Sequence, residues 1–360
     1  MATELTEREN EAAPVMEVRN VHKHFDPSSN VIEKLRARLS PDSRSKIRAV
    51  DGVDLTLEKE QVQGVIGESG CGKSTLLLTL IGEHLPSEGE LLYKGNPVSE
   101  FSKADWKQFR REVQIIFQDP FNAINPHFTV RQTLKEPLRI HNIDQTDERI
   151  REVLEQVQLR PAEQYIDRHE SELSGGEKQR VAIARALIVD PEVILADEPV
   201  SMLDVSTQAS VLELLEDLTT EYGASMMYVS HDLSTVSYVC DRVNVMYLGR
   251  LVEKAPTKEI INNPKHPYTQ ALIRAIPIPD PHFEREWTQI KGAVGDAQDL
   301  PTGCRFKDRC PERMDICDER PLLRPVDGDG GHEAACHLYY DHEDVVAASA
   351  TDGHAGVDAE

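Results

Sequence analysis

The sequence predicts an α/β protein whose mostly parallel sheet is covered by helices, with a small cysteine-rich lobe towards its C-terminal end. Three observations carry this. From residue 173 to 250 helical and short apolar stretches alternate, and VILAD (193–197) and SMMYVS (225–230) each run into a loop, the arrangement of parallel strands joined by helices. VQGVI (62–66) runs into a Gly-rich loop and then into the helix-like STLLLTLIG (74–82). After about residue 275 the texture shifts to the Pro-rich PIPDPH (277–282), then to a stretch at 300–340 dense in Cys, Pro, Gly and Arg.

In chain order, MEVRNVHKHF (16–25) reads as a strand, and the polar residues 26–46 as an inserted loop with a short helix in VIEKLRARL (31–39). AVDGVDLTL (49–57) alternates apolar and polar side chains as a half-buried strand does. ELLYKG (90–95) ends a further strand at a turn, and 103–172 is charged and mostly helical in pattern, interrupted by IIFQDPFNAINP (115–126). Residues 1–15 and 341–360 are acidic and polar and are expected to be disordered.

The loop GESGCGKST (67–75) fits G-x-x-x-x-G-K-[ST] and lies between a strand and a helix, as that motif requires. Gly67, Ser69, Gly70, Cys71 and Gly72 let backbone N–H groups wrap around phosphate, while the helix that begins near Lys73 points its positive end at the same anion. Lys73 is expected to reach the outer phosphates, and Ser74, followed by Thr75, to ligate Mg²⁺. VILAD ends in Asp197-Glu198, two carboxylates at the C-terminal end of a buried strand, where ligands of open α/β sheets bind. Asp197 suits Mg²⁺ held through water, and Glu198 suits a general base acting on water.

Leu173-Ser174-Gly175-Gly176-Glu177 precedes KQRVAIARAL and stands 20 residues before the Asp-Glu strand. This resembles the signature of ATP-binding-cassette (ABC) ATPases. The resemblance implies a P-loop NTPase of ABC type over 16–275: a mostly parallel core sheet, an antiparallel β subdomain and a helical signature subdomain at about 103–185. It also implies roles. Ser174, Gly175, Gly176 and Glu177 would meet ATP held by an opposite subunit. Gln118 would sense Mg²⁺ and the γ-phosphate, Asp204 in SMLD would lie in the dimer-contact loop, His231 would steady the γ-phosphate, and Phe25 would stack on adenine. Glu177 stands where Gln is usual, Met202 where Ala is usual, and Glu60-Gln61 where Gly-Glu forms a hairpin turn.

GESGCGKST, IIFQDPFNAINP, DEPVSMLDVS, MYLGRLVE and NPKHPYT (263–269), with the cysteine-bearing tail at 276–340, are similar to the ATP-binding subunits of oligopeptide and dipeptide importers, in particular the F-type partner. That implies a heterodimer with a second, homologous ATPase, two membrane permeases and an extracellular peptide-binding protein. Relatives that carry nickel or other small solutes leave the cargo open. The stretch after Gln118, with Phe121 and Ile124 framed by prolines, would line the groove that receives a permease helix. A soluble ABC ATPase is the rival class, but this chain has one cassette and no long coiled coil.

No stretch reaches the ~18 apolar residues of a membrane span, and the start lacks the basic end and apolar run of a signal peptide. The protein is therefore expected on the cytoplasmic face of the membrane, held there by partners. The net charge is −23, of which −14 lies on residues 16–340. An acidic body disfavours nucleic acid as a partner and suits a cytoplasm of high salt.

Cys304, Cys310, Cys317 and Cys336 crowd into 33 residues at spacings x5, x6 and x18. Four thiolates can hold Zn²⁺ or an iron–sulfur cluster, and neither a zinc-type C-x2-C pair nor the bacterial ferredoxin run is present. His332 and His337 keep a mixed His/Cys zinc site open. A cytoplasmic setting disfavours disulfides, and so small a lobe needs some cross-link. The resemblance to peptide-importer ATPases favours a [4Fe–4S] cluster with a structural role.

Overall fold

The computed structural model describes residues 14–26, 46–120, 123–275, 300–327 and 331–339. The expectations for 1–13, for the helix at 31–39, for Phe121 and for the acidic tail lie outside them. Val15, placed in the N-terminal tail by the sequence reading, is buried, and its carbonyl accepts the Lys94 N–H at 3.0 Å.

Two sheets share the chain. The first is antiparallel, in the order β2-β1-β4-β5, from β1 (Met16–Phe25), β2 (Ile47–Leu57), β4 (Glu88–Tyr93) and β5 (Asn96–Pro97). Its inner face packs on α1 (Lys73–Leu80) and α2 (Lys103–Glu112) through Leu55, Leu76, Leu80, Tyr93 and Phe109.

The second sheet has eight strands in the order β11-β12-β10-β9-β3-β8-β7-β6. β3 (Val62–Ile66), β6 (Val113–Ile116), β7 (Val193–Asp197), β8 (Ser225–Ser230) and β9 (Arg242–Tyr247) run parallel. Every residue of β3 and of β8 is buried, which explains why these strands read as continuous apolar runs rather than alternating ones. β6 does not stand out from the helical pattern around it. At four residues on the end of the parallel array it is too short to show a period.

The helical part follows as α3 (Val130–His141), α4 (Asp147–Gln156) and α5 (Gly175–Leu187). Thr129, Thr146 and Ser174 cap these three helices by accepting a backbone N–H from the first turn. Because β6 intervenes, this layer starts near 130, and α2 belongs to the β subdomain. Ile124 is buried in the main core at 5% exposure, so it fills the interior rather than presenting itself on a loop. Next come α6 (Val205–Thr220), α7 (Leu233–Val239), β10 (Arg250–Pro256), α8 (Thr257–Asn262) and α9 (Pro267–Ala275). Glu60, at the turn where a glycine was expected, adopts φ +58° and donates its N–H to the Ser225 hydroxyl at 2.9 Å; that bond offsets part of the cost of a side chain in the left-handed region.

The cysteine-bearing segment is joined closely to the core. β11 (Arg324–Asp327) and β12 (His332–Ala334) extend the main sheet beyond β10 in antiparallel fashion. Phe306 is buried among Tyr247, Tyr268 and His266, with ring centroids 5.4, 5.5 and 5.8 Å away. Burial pushes the His266 pKa down to about 3. The ring is therefore neutral, and its Nδ1 accepts the Tyr268 N–H at 3.1 Å. Asp51 of β2, also buried, accepts from Arg250 of β10 at 2.9 and 3.1 Å and pairs with Arg305 of the lobe. Burial raises its pKa, but the two guanidinium groups outweigh that and hold it well below the usual carboxylate range.

Glu253 on β10 has no exposed surface. It accepts the Lys265 N–H at 2.7 Å, the His266 N–H at 2.9 Å and a bond from His332 Nε2 of β12 at 2.7 Å. Glu253→Ala removes the acceptor of three donors, two of them buried, so it is expected to cost about 3 kcal/mol. Thermal melting should show the midpoint lowered by roughly 5–10 °C, with protease cleavage appearing first in the region after residue 300.

Candidate nucleotide site

Parallel register sets the level of the site. Ile66 pairs with Ser230, Asp197 with Val229, and Ile116 with Ala196. The residues that follow these strand ends therefore leave the sheet on one edge, and Gly67, His231, Glu198 and Gln118 are among them.

In the phosphate loop Gly67 and Gly72 are needed sterically, while Gly70, with open space around it, is favoured by its φ of +80°. A Cβ on Gly67 would stand 2.2 Å from the Met246 carbonyl oxygen, and one on Gly72, at φ +110°, 2.0 Å from that of Ala49. Gly72 caps α1, whose first residue is Lys73. The Lys73 ammonium is buried and donates to the carbonyls of Gly67 and Glu68 at 2.8 and 3.2 Å. Ser69, Gly70 and Ser74 are exposed and Thr75 is half-buried. Cys71 turns its thiol into the core beside Gly67, with only 1% exposure, and burial raises its pKa. It can offer a ligand its backbone alone.

Across the site the Ser74 hydroxyl donates to Asp197 Oδ1 at 3.3 Å, so two hard oxygen donors face each other as a Mg²⁺ site needs. Burial raises the Asp197 pKa, the Ser74 hydroxyl opposes it, and the Glu198 charge adds to the rise. Glu198 has φ +45° and is fixed by its own N–H, which donates to Val229 O at 2.9 Å. Such a backbone persists only where its surroundings hold it, and it is found at functional sites. Gln118 Nε2 donates to Glu198 Oε2 at 3.2 Å, and His231 Nδ1 lies 2.9 Å from the same oxygen. Thus Lys73, Ser74, Asp197, Glu198, Gln118 and His231 converge. Phe25 is half-buried and sits edge-on to His84, centroids 5.4 Å apart, with Lys23 over its ring.

The glycine pair stands elsewhere. Ser174 accepts the Glu177 N–H at 3.3 Å, and Glu177 Oε2 accepts the Ser174 N–H at 2.7 Å, a reciprocal cap at the start of α5. Burial would raise the Glu177 pKa, yet the bonds from Ser174 outweigh it and hold the carboxylate ionised. Gly175 has open space where a Cβ would be, whereas Gly176 abuts Thr207 of α6. Thr207 in turn bonds Asp204, the cap of α6, at 2.7 Å. These residues form one patch, flanked by exposed Met202 (61%) and Val205 (82%).

The four lobe cysteines are unpaired. Backbone N–H groups two residues on are directed at Cys304, Cys310 and Cys336, from Phe306, Glu312 and Leu338, and Met314 N–H lies 3.5 Å from Cys317 Sγ. Burial, and then the nearby thiols, push Cys304 up to about 11 and Cys336 up to about 12. Each histidine uses Nε2 elsewhere, His332 with Glu253 and His337 at 3.1 Å from Glu319 O, while the Nδ1 of both is buried and makes no hydrogen bond. Among the described residues, the one group of three possible ligands whose donor atoms lie within 4.8 Å of one another is His22, His24 and Asp51. Two arginines already pair with Asp51, which disfavours a cation there.

Glu68, Tyr268 and Arg309 meet at the loop without a signal of their own in the sequence. Tyr268 OH accepts the Glu68 N–H at 2.8 Å, and Arg309 forks onto the Glu68 carboxylate at 2.8 and 3.0 Å. No local pattern marks contacts across separations of 200 and 241 residues.

A phosphate loop after β3, a carboxylate pair at the end of β7, two places along the same parallel array, and a capped Ser-Gly-Gly helix together define an ABC-type ATPase. Comparison with known proteins agrees. Residues 50–201 match the ABC transporter family and residues 252–317 the oligopeptide/dipeptide transporter C-terminal region. The chain is 41% identical to the oligopeptide transport ATP-binding protein AppF of Bacillus subtilis, over 90% of this chain and 97% of that one. It is 40% identical to the dipeptide transport ATP-binding protein DppF of Escherichia coli, over 90% and 94%. Among solved structures, the dimeric ATP-binding cassette MJ0796 bound to ADP and Pi superposes with a TM-score of 0.57 at 27% identity, covering 67% of this chain and 98% of that one. CbiO1 of Clostridium perfringens gives 0.57 at 26%, covering 70% and 92%. The chain belongs to the ATP-binding subunits of ABC-type oligopeptide and dipeptide transporters.

The cap bears on the Glu177 departure. The side chain acts as an acceptor, which a Gln oxygen also supplies. Glu177→Gln is expected to leave stability within about 0.5 kcal/mol, whereas Glu177→Ala should cost about 1 kcal/mol. Chemical denaturation of the two variants beside the parent measures both.

Proposed function

We propose that this chain hydrolyses ATP to drive peptide import, from the cytoplasmic face of a membrane. The observation that carries the reading is the meeting of Gln118 and His231 on one oxygen of Glu198, beside Lys73 and the Ser74–Asp197 pair. In this reading Lys73 and the loop amides bind the outer phosphates. Ser74 and Asp197 hold Mg²⁺, which neutralises phosphate charge. Glu198 takes a proton from the attacking water as its oxygen bonds the γ-phosphorus and ADP leaves. His231 and Gln118 orient that carboxylate and the γ-phosphate, and Phe25 contributes a stacking face for adenine.

The Ser174–Glu177 helix start, with Met202, Asp204 and Val205, forms an exposed patch suited to an opposing ATPase, and MJ0796 was solved as a dimer. The peptide-transport names of the relatives support peptides as cargo. The partners in this reading are a second, homologous ATPase, two permeases and an extracellular peptide-binding protein. Among the described residues no helix is long and apolar enough to cross a membrane, so membrane attachment falls to those permeases.

Glu198→Gln should bind ATP with near-parental affinity while hydrolysis in the assembled transporter falls by about 10²–10⁴-fold. Full hydrolysis by this variant would remove Glu198 as the base. Uptake assays that show a metal ion rather than peptides entering would move the cargo to another solute.

The lobe cysteines suit a metal group larger than one ion. Four sulfurs on a single zinc stand about 3.8 Å apart, from Zn–S near 2.3 Å. No three of these thiols fall within 4.8 Å of one another, yet Cys317 and Cys310 act on Cys304, and all three act on Cys336. A [4Fe–4S] cluster spaces its thiolates more widely, and the N–H groups directed at the sulfurs suit thiolate ligands. Anaerobically purified protein should be brown and contain iron and acid-labile sulfide. One zinc per chain without sulfide would overturn the cluster in favour of Zn²⁺.

A further inference from the structure

Glu68 is the first residue after Gly67 in the phosphate loop, and all its polar groups are engaged. Its carbonyl accepts from Lys73 Nζ at 3.2 Å and from the Cys71 N–H at 3.2 Å, bonds internal to the loop. Its other two partners come from outside. Tyr268 of α9 takes its N–H at 2.8 Å, and Arg309 of the cysteine lobe takes both carboxylate oxygens, Nη1 to Oε2 at 2.8 Å and Nη2 to Oε1 at 3.0 Å. A planar fork on a carboxylate fixes orientation as well as distance, which a lone ammonium cannot do. The pair is largely screened from water, with 11% of the Arg309 side chain exposed and 23% of that of Glu68.

Arg309 is itself held by the lobe and by Tyr247 at the end of β9. Its N–H donates to Phe306 O at 3.0 Å, its Nη1 donates to the Tyr247 hydroxyl at 3.2 Å, and the guanidinium lies 5.8 Å from the ring centres of Tyr247 and Phe306. It also lies in the short loop bounded by Cys304 and Cys310, immediately before the second of these. Any group bonded to both thiols fixes the ends of that loop.

We infer that Arg309 is a positioning residue for ATP: it holds the phosphate loop in its binding shape through Glu68, and the metal group on the four cysteines keeps Arg309 in place. The second half rests on the metal reading above; the first half does not. Loss of the lobe's metal would then loosen the loop and weaken nucleotide binding without any contact between metal and nucleotide.

The test is a mutant cycle on the full chain, read as affinity for a fluorescent ATP analogue with Mg²⁺, alongside iron, zinc and sulfide content. Arg309→Ala and Glu68→Gln should each weaken binding about tenfold, the scale of one charge-assisted bidentate contact. The double variant should be no weaker than the worse single one, because both remove the same contact. Arg309→Lys should recover only part of the loss. In the assembled transporter KM for ATP should rise by more than kcat falls. Additive losses in the double variant, or parental affinity in a folded Arg309→Ala protein, would overturn the proposal. Should Arg309→Ala melt at assay temperature, Arg309→Lys and Glu68→Gln, which keep side-chain volume, decide it. Cys310→Ser should lose metal and weaken binding in the parent but add nothing in Arg309→Ala. If it loses metal and binds normally, the link from lobe to loop is wrong. If the parent holds no metal at all, the metal reading fails, while the Arg309–Glu68 cycle still decides whether the arginine positions the loop.

Discussion

β3 pairs in parallel with β8 on one side and β9 on the other, and all five of its residues are buried. A one-residue slip would bring Gln63 or Val65 to the place of Gly64, where even a Cβ would stand 2.9 Å from Val236. That constraint fixes where Ile66 ends and, through the pairing of β8 with β7 and of β7 with β6, where Ser230, Asp197 and Ile116 end. Asp197, Glu198, His231 and Gln118 of the candidate site lie at these ends or within two residues of them. Their mutual distances are therefore set by the packing of Val65, Leu195 and Val229 in the interior rather than by the loops that carry them, and a core substitution there would be felt as misplaced chemistry.

A second constraint is electrostatic. Asp51 brings a buried carboxylate from the β subdomain to Arg250 on the main sheet and Arg305 in the lobe. Each ion alone would be costly to bury, and the cluster is favourable only when complete. Glu253 plays the same part between β10, the 265–266 backbone and His332. The segment after residue 300 is thus held by two buried charge clusters and by Phe306, which makes it an integral part of the ATPase body.

The candidate site was legible in the sequence because the proposed chemistry demands particular residue types at particular spacings: Gly67, Gly72 and Lys73 for phosphate, and Asp197-Glu198 at the end of an apolar strand. The central strands were legible for a related reason, since VQGVI, VILAD and SMMYVS can only be buried. β6 was not, because VQII sits between helical stretches and is too short for a period to emerge. Ile124 misled because neighbouring prolines suggest a surface loop, whereas the loop folds one apolar side chain inward. Glu68, Tyr268 and Arg309 were invisible in principle, since their chemistry lies in pairings that only the folded chain creates. Glu177 stands where Gln is usual, and in the structure its side chain serves as an acceptor for the Ser174 N–H.

The two added strands have a consequence for how the protein survives at high concentration. Without them β10 would present an open edge of unpaired backbone to other chains, and such edges template aggregation. β12 covers it, and the new border strand β11 is short and carries Pro325 within its four residues. Proline has no N–H to offer a newcomer. The C-terminal segment therefore ends the sheet as well as enlarging it, leaving a border on which a second molecule finds little to pair with.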